Sequence, residues 1–368
     1  MNNPGRVLLI RPSALGDVCR SVPVLVGLRR LYPSARIDWL VQDSFAEAVS
    51  EHPALRSASG GGVIPFARKR LGQLHVPTVW GELVSFVRGL RSARYDLVVD
   101  AQGLLRSALF TRATRAPVRV GFVNAQEGGA FAYNIKVHAE RSLHAVERMM
   151  RLLEPLATRA GVGAGAEAGA EAGVGAGVGV GVGAFDMSLY VPTAARAWAE
   201  ARPELRGRYV VLAPSSRWAS KRWPAGSHAR VAAGLLAGGM CERVVLVGGR
   251  GEEDQCGPLL ELAGSDARIV NLMGKTSVGQ LMAVLERGAL LLGSDSAAVH
   301  MAVGLKRPLV ALYGPTDAAR VGPFGRLGDV LQHVEPGEAL DHKRDEPGAT
   351  QMARISVDEV LRACRGRL

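Results

Sequence analysis

Short runs of apolar residues alternate with longer segments of helical periodicity along nearly the whole chain. The runs are rich in valine, leucine and isoleucine, as expected for buried strands of parallel sheets. In the first half they are VLLI (7–10), IDWLV (37–41), YDLVVDA (95–101) and VRVGF (118–122). In the second half they are YVVLAP (209–214), RVVLVGG (243–249), RIVNL (268–272), ALLLGSD (289–295) and PLVALYG (308–314). The alternation predicts an α/β protein in which each half forms a doubly wound sheet.

One segment interrupts this pattern. Residues 160–184 contain only Gly, Ala, Val and Glu, and ten of them are glycine. Because glycine at this density raises the entropic cost of a fixed fold, we interpret the segment as a low-complexity insertion or linker without chemistry of its own. The predicted organisation is an N-terminal Rossmann-like domain over 1–159 and a C-terminal one over 185–350. The last segment, 351–368, is predicted to be a helix that packs back on the N-terminal domain.

The positive charge of the chain is concentrated in its first half. The formal net charge of the 368 residues is +11, of which +9 falls in residues 1–158, −1 in 159–184 and +3 in 185–368. Such a surface attracts nucleic acid, anionic lipid or an anionic substrate. Aromatic content is only 5%, and no helix-turn-helix, zinc-finger or base-stacking signature is present. Nucleic acid is therefore not an expected partner.

The N-terminal sequence and the cysteines indicate the cellular compartment in which the protein is expected. The N-terminus runs from MNNPGR through four apolar residues to Arg11, so neither a signal peptide nor a membrane span is expected. The four cysteines are widely scattered and form no C-x-x-C pair: Cys19, Cys241, Cys256 and Cys364. This spacing argues against zinc, redox and disulfide frameworks and makes the cytosol the expected compartment.

Two segments resemble phosphate-binding motifs, but each lacks a glycine that the motif requires. GKTS at 274–277 is not a P-loop, because the required first glycine would fall at Ile269. VGGRGEED, from 247 on, lacks the third glycine of a dinucleotide fingerprint. No D-x-D pair or metal-ligand spacing is present, so a metal-free mechanism is the working expectation.

The first surviving constellation follows the first strand. Ser13, Gly16 and Asp17 lie where a strand, a small-residue loop and a helix usually build a phosphate cradle. An aspartate there would repel phosphate, so the loop is a candidate for a different ligand. The local sequence fits a simple N-cap role for Asp17 equally well.

Two further constellations lie in the second half. APSSRWASKRWP (213–224) places Ser215, Ser216, Lys221 and Arg222 ahead of a predicted helix, which suits a diphosphate, although an ordinary solvated Lys-Arg pair is the simpler interpretation. GSDSAAVHMA (293–302) ends a strand with Asp295 or Ser296 as a helix cap and His300 about one turn later. By themselves these residues also fit a cap and a buried core histidine.

Together these motifs resemble the ADP-heptose:lipopolysaccharide heptosyltransferases of glycosyltransferase family nine, most of all the heptosyltransferase I-like members. The likeness covers nearly the whole chain except the glycine-rich segment. It is carried by RPSALGDV (11–18), YDLVVDAQGLLRSAL (95–109), FAYN (131–134), HAVERMM (144–150), SKRWP (220–224), LLGSDSAAVHMA (291–302) and YGPTDAARVGPFG (313–325). The resemblance implies a GT-B architecture of two Rossmann-like domains facing across a cleft. The N-terminal domain would bind the acceptor and the C-terminal domain the nucleotide sugar.

The resemblance also implies residue roles. Asp17 would be the general base that takes a proton from an acceptor hydroxyl during inverting transfer, and Lys221 would be the catalytic cation on the diphosphate. The donor-binding residues would be Ser215, Ser216, Arg222, Glu252, Asp295, Ser296, Ala297 and His300. The acceptor-binding residues would be Ser13, Gly16, Arg106 and Gln126.

Two positions depart from the family pattern. Family members often have arginine before glutamate in the acceptor region, whereas this chain has Gln126 before Glu127. Ala297 replaces a common glycine and narrows backbone approach to the donor. These departures bear on the acceptor more than on transfer itself.

The implied activity is metal-independent transfer of heptose from ADP-heptose to an inner-core lipopolysaccharide acceptor of the Kdo-lipid A type. The implied partners are a nucleotide sugar, an anionic lipid-linked saccharide and, by peripheral contact, the cytoplasmic face of the inner membrane. Two alternatives stay open at this point. One is the same fold with another nucleotide sugar or acceptor, and the other is a non-catalytic nucleotide or glycan sensor.

Overall fold

The computed structural model describes residues 3–56, 58–73, 75–161, 185–343 and 345–368. The chain divides into two compact units, Met1–Met187 and Ser188–Leu368. Most of the predicted glycine-rich insertion, residues 162–184, lies outside the described residues.

The N-terminal unit is built on a six-stranded parallel sheet with strand order β3-β2-β1-β4-β5-β6. Its strands are β1 (Arg6–Ile10), β2 (Arg36–Gln42), β3 (Gly61–Phe66), β4 (Leu97–Asp100), β5 (Val118–Phe122) and β6 (Ile135–Val137). Its helices are α1 (Leu15–Arg20), α2 (Val22–Leu31), α3 (Arg68–Leu71), α4 (Pro77–Ser92), α5 (Leu105–Ala113), α6 (Ala145–Met150) and α7 (Glu154–Arg159).

The C-terminal unit repeats this plan in a second six-stranded parallel sheet, with order β12-β11-β10-β7-β8-β9. Its strands are β7 (Tyr209–Ala213), β8 (Arg243–Leu246), β9 (Ile269–Asn271), β10 (Leu290–Ser294), β11 (Leu309–Tyr313) and β12 (Val330–Gln332). Its helices are α8 (Thr193–Glu200), α9 (Ala225–Ala237), α10 (Gly257–Ser265), α11 (Val278–Arg287), α12 (Ala297–Gly304), α13 (Ala318–Val321), α14 (Asp345–Ala353) and α15 (Val357–Arg365).

Both sheets have the same topology. Counted from the first strand of each unit, the order is 3-2-1-4-5-6, which is the doubly wound Rossmann arrangement. The strand order reverses between β1 and β4 in the first unit and between β7 and β10 in the second. Ligands of such sheets bind at the carboxyl ends of the strands beside this switch point. The predicted α/β class with two Rossmann-like domains is confirmed.

The central strands form because they are buried on both faces. Residues Val7–Ile10 of β1 and all five residues of β7 are buried, so their runs read as continuously apolar rather than alternating. In the N-terminal unit one sheet face packs against α4 and α5 through Leu8, Leu40, Leu90 and Phe110, among others.

The helix at the end of the chain packs within the C-terminal unit. Val360 and Cys364 of α15 are fully buried in the core that also contains Val210 and Leu312. The contact between this helix and the N-terminal domain that the sequence suggested stays a prediction, since the contacts that the structure gives the helix lie in its own unit.

Candidate active site

The first predicted site lies where β1 leads into α1. Asp17 is the third residue of α1, and its Oδ2 accepts a hydrogen bond from the Ala14 N–H at 3.2 Å. Ala14 itself occupies the N-cap position, so the alternative of Asp17 as N-cap is wrong. A first-turn carboxylate that reaches back in this way stabilises the helix start. Gly16 precedes Asp17 within the helix, and Ser13 lies in the loop before it.

Two arginines hold the Asp17 carboxylate. Arg11 Nη2 lies 3.0 Å from Oδ2, and the Arg20 guanidinium contacts Oδ1 from the next turn of α1. Burial raises the pKa of Asp17, but the two guanidiniums outweigh burial and hold this pKa well below its ordinary value. The carboxylate is therefore ionised at physiological pH. Its side chain remains 26% exposed, so a ligand can still reach it.

A polar cavity of about 240 Å³ opens beside Arg11. Its polar lining comes from Arg11, Gln102, Asn124, Gln126 and Arg148. Two guanidiniums and three carboxamides suit a ligand that carries hydroxyl and anionic groups. Of the predicted acceptor-binding residues, Gln126 lies in this cavity.

Arg106, predicted for the same role, does not line this cavity. It is the second residue of α5 and lines a neighbouring, mostly apolar groove together with Glu127. The cations of the cavity are instead Arg11 and Arg148, which the sequence analysis did not single out. Their signal was present, because both lie inside motifs that carry the family resemblance.

The wall of the cavity is fixed by a buried carboxylate that the sequence analysis also missed. Asp100, at the end of β4, is fully buried and accepts hydrogen bonds from the N–H groups of Gln102 at 2.9 Å and Gly103 at 3.1 Å. The Tyr133 hydroxyl donates to its other oxygen at 2.7 Å. Burial raises the pKa of Asp100 despite these donors. Asp100 therefore positions the loop that carries Gln102, and DAQG was its signal in the sequence.

In the C-terminal unit, Lys221 and Asp295 form a buried ion pair. The distance from Lys221 Nζ to Asp295 Oδ2 is 2.6 Å, and the two side chains are 13% and 11% exposed. Burial raises the pKa of Asp295, but Lys221 outweighs it, with smaller contributions from His300 and Thr316, and the net pKa is lowered. The interpretation of Lys221 as a merely solvated surface lysine therefore does not hold.

A second group of predicted residues is linked by hydrogen bonds around the end of β7. The hydroxyl of Ser215 donates to Glu252 Oε2 at 2.6 Å, and Gly249 N–H donates to the same oxygen at 2.8 Å. Ser216 N–H donates to Gln255 Oε1 at 3.2 Å, and Arg222 Nε donates to the Ser216 carbonyl at 3.1 Å. The structure thus brings Ser215, Ser216, Arg222 and Glu252 together, as expected.

The glycines of VGGRGEED serve this arrangement rather than a dinucleotide fingerprint. A Cβ at Gly248 would lie 2.9 Å from Ser215 Oγ and 2.7 Å from Met273 Cε. Glycine at this position leaves room for the Ser215 hydroxyl and the Met273 side chain next to Glu252. The first glycine of the motif therefore leaves room for the contact between the Glu252 carboxylate and Ser215.

The third predicted group lies at the start of α12. Ser296 is the N-cap residue, yet its side chain makes no capping hydrogen bond, and its buried Oγ has no hydrogen-bond partner among the residues that the structure describes. Ala297 is the first residue of the helix, and His300 is buried one turn further on. Since the first N–H groups of a helix and its dipole attract anions, this end is suited to a phosphate.

Two aromatic side chains next to the ion pair were not predicted. The rings of Trp218 and His342 pack edge to face with centroids 5.2 Å apart, and the Ser220 hydroxyl donates to the His342 carbonyl at 2.6 Å. Burial and the nearby Lys221 charge lower the pKa of His342. No motif pointed to His342, because it follows Lys221 only after more than a hundred residues.

Two features are absent from the residues that the structure describes. None of the helices described is long and apolar enough to cross a bilayer. Within the same described residues, no three His, Cys, Asp or Glu side chains lie together as metal ligands would.

Comparison with known proteins identifies relatives of the whole chain. Residues 83–347 match glycosyltransferase family 9 (heptosyltransferase). Lipopolysaccharide heptosyltransferase 1 of Pseudomonas aeruginosa is 30% identical over 334 residues, which cover 87% of this chain and 82% of that protein. The protein of the same name from Escherichia coli K12 is 28% identical over 326 residues, covering 87% of this chain and 91% of that protein.

Solved structures agree. Escherichia coli heptosyltransferase WaaC with ADP superposes with a TM-score of 0.74 at 25% identity, covering 99% of this chain and all of that one (100%). A glycosyl transferase family 9 protein from Veillonella parvula has a TM-score of 0.78 at 20% identity, covering 98% and 96% of the two chains, and supports the fold alone. The predicted GT-B fold class and the family resemblance are confirmed. The chain belongs to glycosyltransferase family 9 and is a glycosyltransferase.

Proposed function

We propose that this enzyme transfers heptose from ADP-heptose to a Kdo-lipid A type acceptor of the lipopolysaccharide inner core, with inversion and without a metal ion. The observation that carries the proposal is the near-complete match to Escherichia coli WaaC, solved with ADP-2-deoxy-2-fluoro heptose, at 25% identity over 99% of this chain. The relatives named as lipopolysaccharide heptosyltransferase 1 support the same assignment.

The donor would bind in the C-terminal unit. Glu252, held by Ser215 and Gly249, presents a carboxylate after a strand, as in sites that bind a ribose hydroxyl. The diphosphate would lie against Lys221 and against the start of α12, where Ser296 Oγ has no partner within the described part of the chain. Ser216, Arg222, Ala297 and His300 would complete this pocket.

Lys221 can serve the leaving group only if its pairing changes. In the free protein its ammonium is neutralised by Asp295 at 2.6 Å. If hydroxyls of the donor sugar hydrogen-bond to Asp295, the Lys221 charge becomes available to the phosphate oxygens. A fixed cation and helix N–H donors would then stabilise the negative charge that grows on ADP as the sugar departs.

The acceptor would bind in the N-terminal unit, with the cavity cations Arg11 and Arg148 beside its anionic groups. A carboxylate offers about four lone-pair sites. Three donors already hold Asp17, namely Arg11, Arg20 and the Ala14 N–H, so one site on the partly exposed carboxylate is left for an acceptor hydroxyl.

The reaction would be one displacement. The acceptor oxygen forms a bond to the anomeric carbon, the bond from that carbon to the β-phosphate oxygen breaks, and ADP leaves with the electron pair. The hydroxyl proton passes to Asp17. Because the arginines lower the pKa of Asp17, it is a weak base and takes the proton late, when bond formation has made the hydroxyl acidic.

A single-turnover assay tests the activity. Purified enzyme is mixed with ADP-heptose and Kdo-lipid A, and the product is identified by mass spectrometry. We expect one heptose per acceptor and release of ADP in the presence of a chelator. Clean donor binding without any product would instead support a nucleotide sensor.

A nucleotide panel tests the donor base. Thermal-shift titrations with ADP, UDP and GDP should show stabilisation by ADP at the lowest concentration, since a ligand at 100 times its Kd stabilises by about 2.7 kcal/mol. Equal responses to all three would contradict the assignment of adenine.

We also propose that the enzyme works in the cytoplasm, peripherally bound to the inner membrane. The +9 charge of residues 1–158 supports this, because each Lys or Arg close to an anionic leaflet contributes about 1 kcal/mol.

A further inference from the structure

A surface groove of about 410 Å³ lies between α3, α4 and α5 of the N-terminal unit. We call it the α4–α5 groove. Its apolar lining consists of Phe66, Leu71, Leu83, Leu105, Leu109 and Phe110. Arg68, Arg106 and Glu127 are its charged lining residues. No role in nucleotide binding or proton transfer assigned above uses the apolar part of this groove.

The floor of the groove is well packed. Phe66, Phe86 and Phe110 form a triangle of aromatic rings with centroid separations of 5.1 to 5.6 Å. Edge-to-face and tilted contacts of this kind stabilise a core beyond the area that they bury. The groove is therefore part of the folded unit rather than a gap between loose side chains.

Large apolar side chains stand exposed on the two helices that flank the groove: Leu105 and Leu109 of α5 line it, and Trp80 and Val84 lie on α4. Leu109 and Trp80 are each 52% exposed, Val84 is 42% exposed and Leu105 is 38% exposed. Trp80 and Val84 lie four residues apart on α4, and Leu105 and Leu109 four residues apart on α5, so each pair shares a helix face. A single exposed leucine is ordinary, but four large exposed apolar side chains on two helices that pack against each other are typical of an interaction surface.

The helices around the groove are strongly basic. Together α3, α4 and α5 contain seven basic residues, Arg68, Lys69, Arg70, Arg88, Arg91, Arg106 and Arg112, and one acidic residue, Glu82. Glu82 is paired with Arg70. Lysine and arginine around tryptophan and leucine form the pattern of a surface that lies in the headgroup region of an anionic bilayer.

The groove lies at the same end of the N-terminal sheet as Asp17. Phe66 ends β3, Leu105 follows β4 and Glu127 follows β5, so the groove lies at the carboxyl end of the sheet. Asp17 follows β1 at the same end. A lipid surface at the groove would therefore be on the side where an acceptor approaches Asp17.

We propose that the α4–α5 groove is the docking surface of this enzyme for an anionic lipid bilayer. Trp80, Val84, Leu105 and Leu109 enter the boundary between headgroups and acyl chains, while the surrounding basic residues contact anionic headgroups. The lipid contact stands independently, and its link to the acceptor rests on the proposed function.

Vesicle cosedimentation of the full-length enzyme tests this surface. The vesicles contain phosphatidylcholine alone or phosphatidylcholine with a minor fraction of phosphatidylglycerol. Leu109→Asp should weaken binding to the anionic vesicles at least about tenfold, since it removes an exposed leucine that would enter the bilayer and adds a repulsive charge. Leu327→Asp is the matched control, because Leu327 is also 52% exposed but lies in the C-terminal unit.

Tryptophan fluorescence provides a second test, which does not require Leu109→Asp to fold. Anionic vesicles should shift the tryptophan emission of the wild-type enzyme to shorter wavelength, and Trp80→Phe should lose most of this shift. Equal vesicle binding by wild type, Leu109→Asp and Leu327→Asp would overturn the proposal. Absence of any binding by the wild type would overturn it as well.

Failure of the lipid-docking proposal can be distinguished from failure of the proposed reaction. Transfer to a deacylated, water-soluble acceptor does not require the bilayer, so Leu109→Asp should keep the wild-type rate there. A wild type that binds vesicles but transfers nothing would count against the reaction alone. A wild type that transfers, with vesicle binding that Leu109→Asp leaves intact, would count against the docking surface alone.

Discussion

Each unit of this enzyme places a carboxylate at the switch point of the same sheet topology, but the two carboxylates are held differently. Asp17 follows β1 and is held by two guanidiniums and a backbone N–H. Asp295 follows β10 and has one close cation, Lys221 at 2.6 Å. The first cluster carries an excess of positive charge, whereas the second ion pair is neutral.

This difference teaches how one topology serves two kinds of ligand. In the proposed function, the arginine cluster stays positive with Asp17 ionised, so it would attract an anionic acceptor while keeping a carboxylate for the acceptor hydroxyl. The neutral pair would let the donor redistribute the contacts, with sugar hydroxyls on Asp295 and phosphate on Lys221. Four changes test this comparison.

The largest effect should come from Asp17→Asn. We expect transfer to fall at least ~100-fold, the lower end for loss of a general base, because the amide cannot accept the hydroxyl proton. Rapid-quench single turnover measures the rate. ADP affinity, measured by calorimetry, should stay unchanged because the residues proposed to bind the donor lie in the other unit. A variant that transfers at the parental rate would remove Asp17 from the mechanism.

The second change compares the loss of one cation in each cluster. Lys221→Met leaves Asp295 buried without its main partner and should lower the free energy of unfolding by about 3 kcal/mol. Arg20→Met leaves Arg11 in place, so the loss should be on the order of 1 kcal/mol. Urea denaturation followed by fluorescence measures both.

The double variant Lys221→Met/Asp295→Asn provides the control for this comparison. It should recover much of the stability, because it no longer buries an unpaired charge. Equal losses for Lys221→Met and Arg20→Met would mean that the two clusters do not differ as described.

The third change concerns pH. If Asp17 is the general base, its protonation abolishes the active form, and its lowered pKa keeps the carboxylate ionised at pH values well below the ordinary carboxyl range. The wild-type kcat/KM should therefore show no acidic limb from Asp17 between about pH 5 and 8. In Arg20→Met only Arg11 and the Ala14 N–H still oppose the effect of burial, so the pKa of Asp17 should rise. The loss of activity on acidification should therefore begin at a higher pH than in the wild type. An unmoved profile would separate Arg20 from the charge state of the base.

The smallest effect should come from Ala297→Gly. Ala297 is the first residue of α12, where a methyl group limits close approach of a phosphate only slightly. We expect the Kd for ADP to change by less than about threefold, or roughly 0.7 kcal/mol, in a calorimetric titration. A larger gain would show that this departure from the family pattern weakens donor binding.

The sequence was sufficient for nine of the twelve strands described and for the position of both carboxylates. It missed β3, β6 and β12, which lie at the sheet edges and are mostly only partly buried. Parallel strands buried on both faces are continuously apolar; Asp295 comes directly after such a run, and Asp17 lies in the helix that follows another. Their pairing was harder to foresee. Asp295 finds Lys221 at a separation of 74 residues, and local patterns contain no information on such contacts.

Other side chains escaped prediction for the same physical reason. His342 reaches the Lys221 region through its packing on Trp218 and the hydrogen bond from Ser220, and nothing near it in the sequence marks it. The motif assigned Arg106 to acceptor binding, which stays a prediction; the structure places this residue on the groove next to the polar cavity. Side-chain direction on a helix depends on how that helix packs, which periodicity alone does not fix.

The polar contacts described for Ser215, Lys221 and Asp295 all stay inside residues 188–368. If the donor and the acceptor bind in separate units, as proposed, changes in sugar or base preference can accumulate in one half of the gene while the loops around Asp17 stay as they are. Recombination between relatives at the junction of the two units would then exchange donors and preserve acceptors.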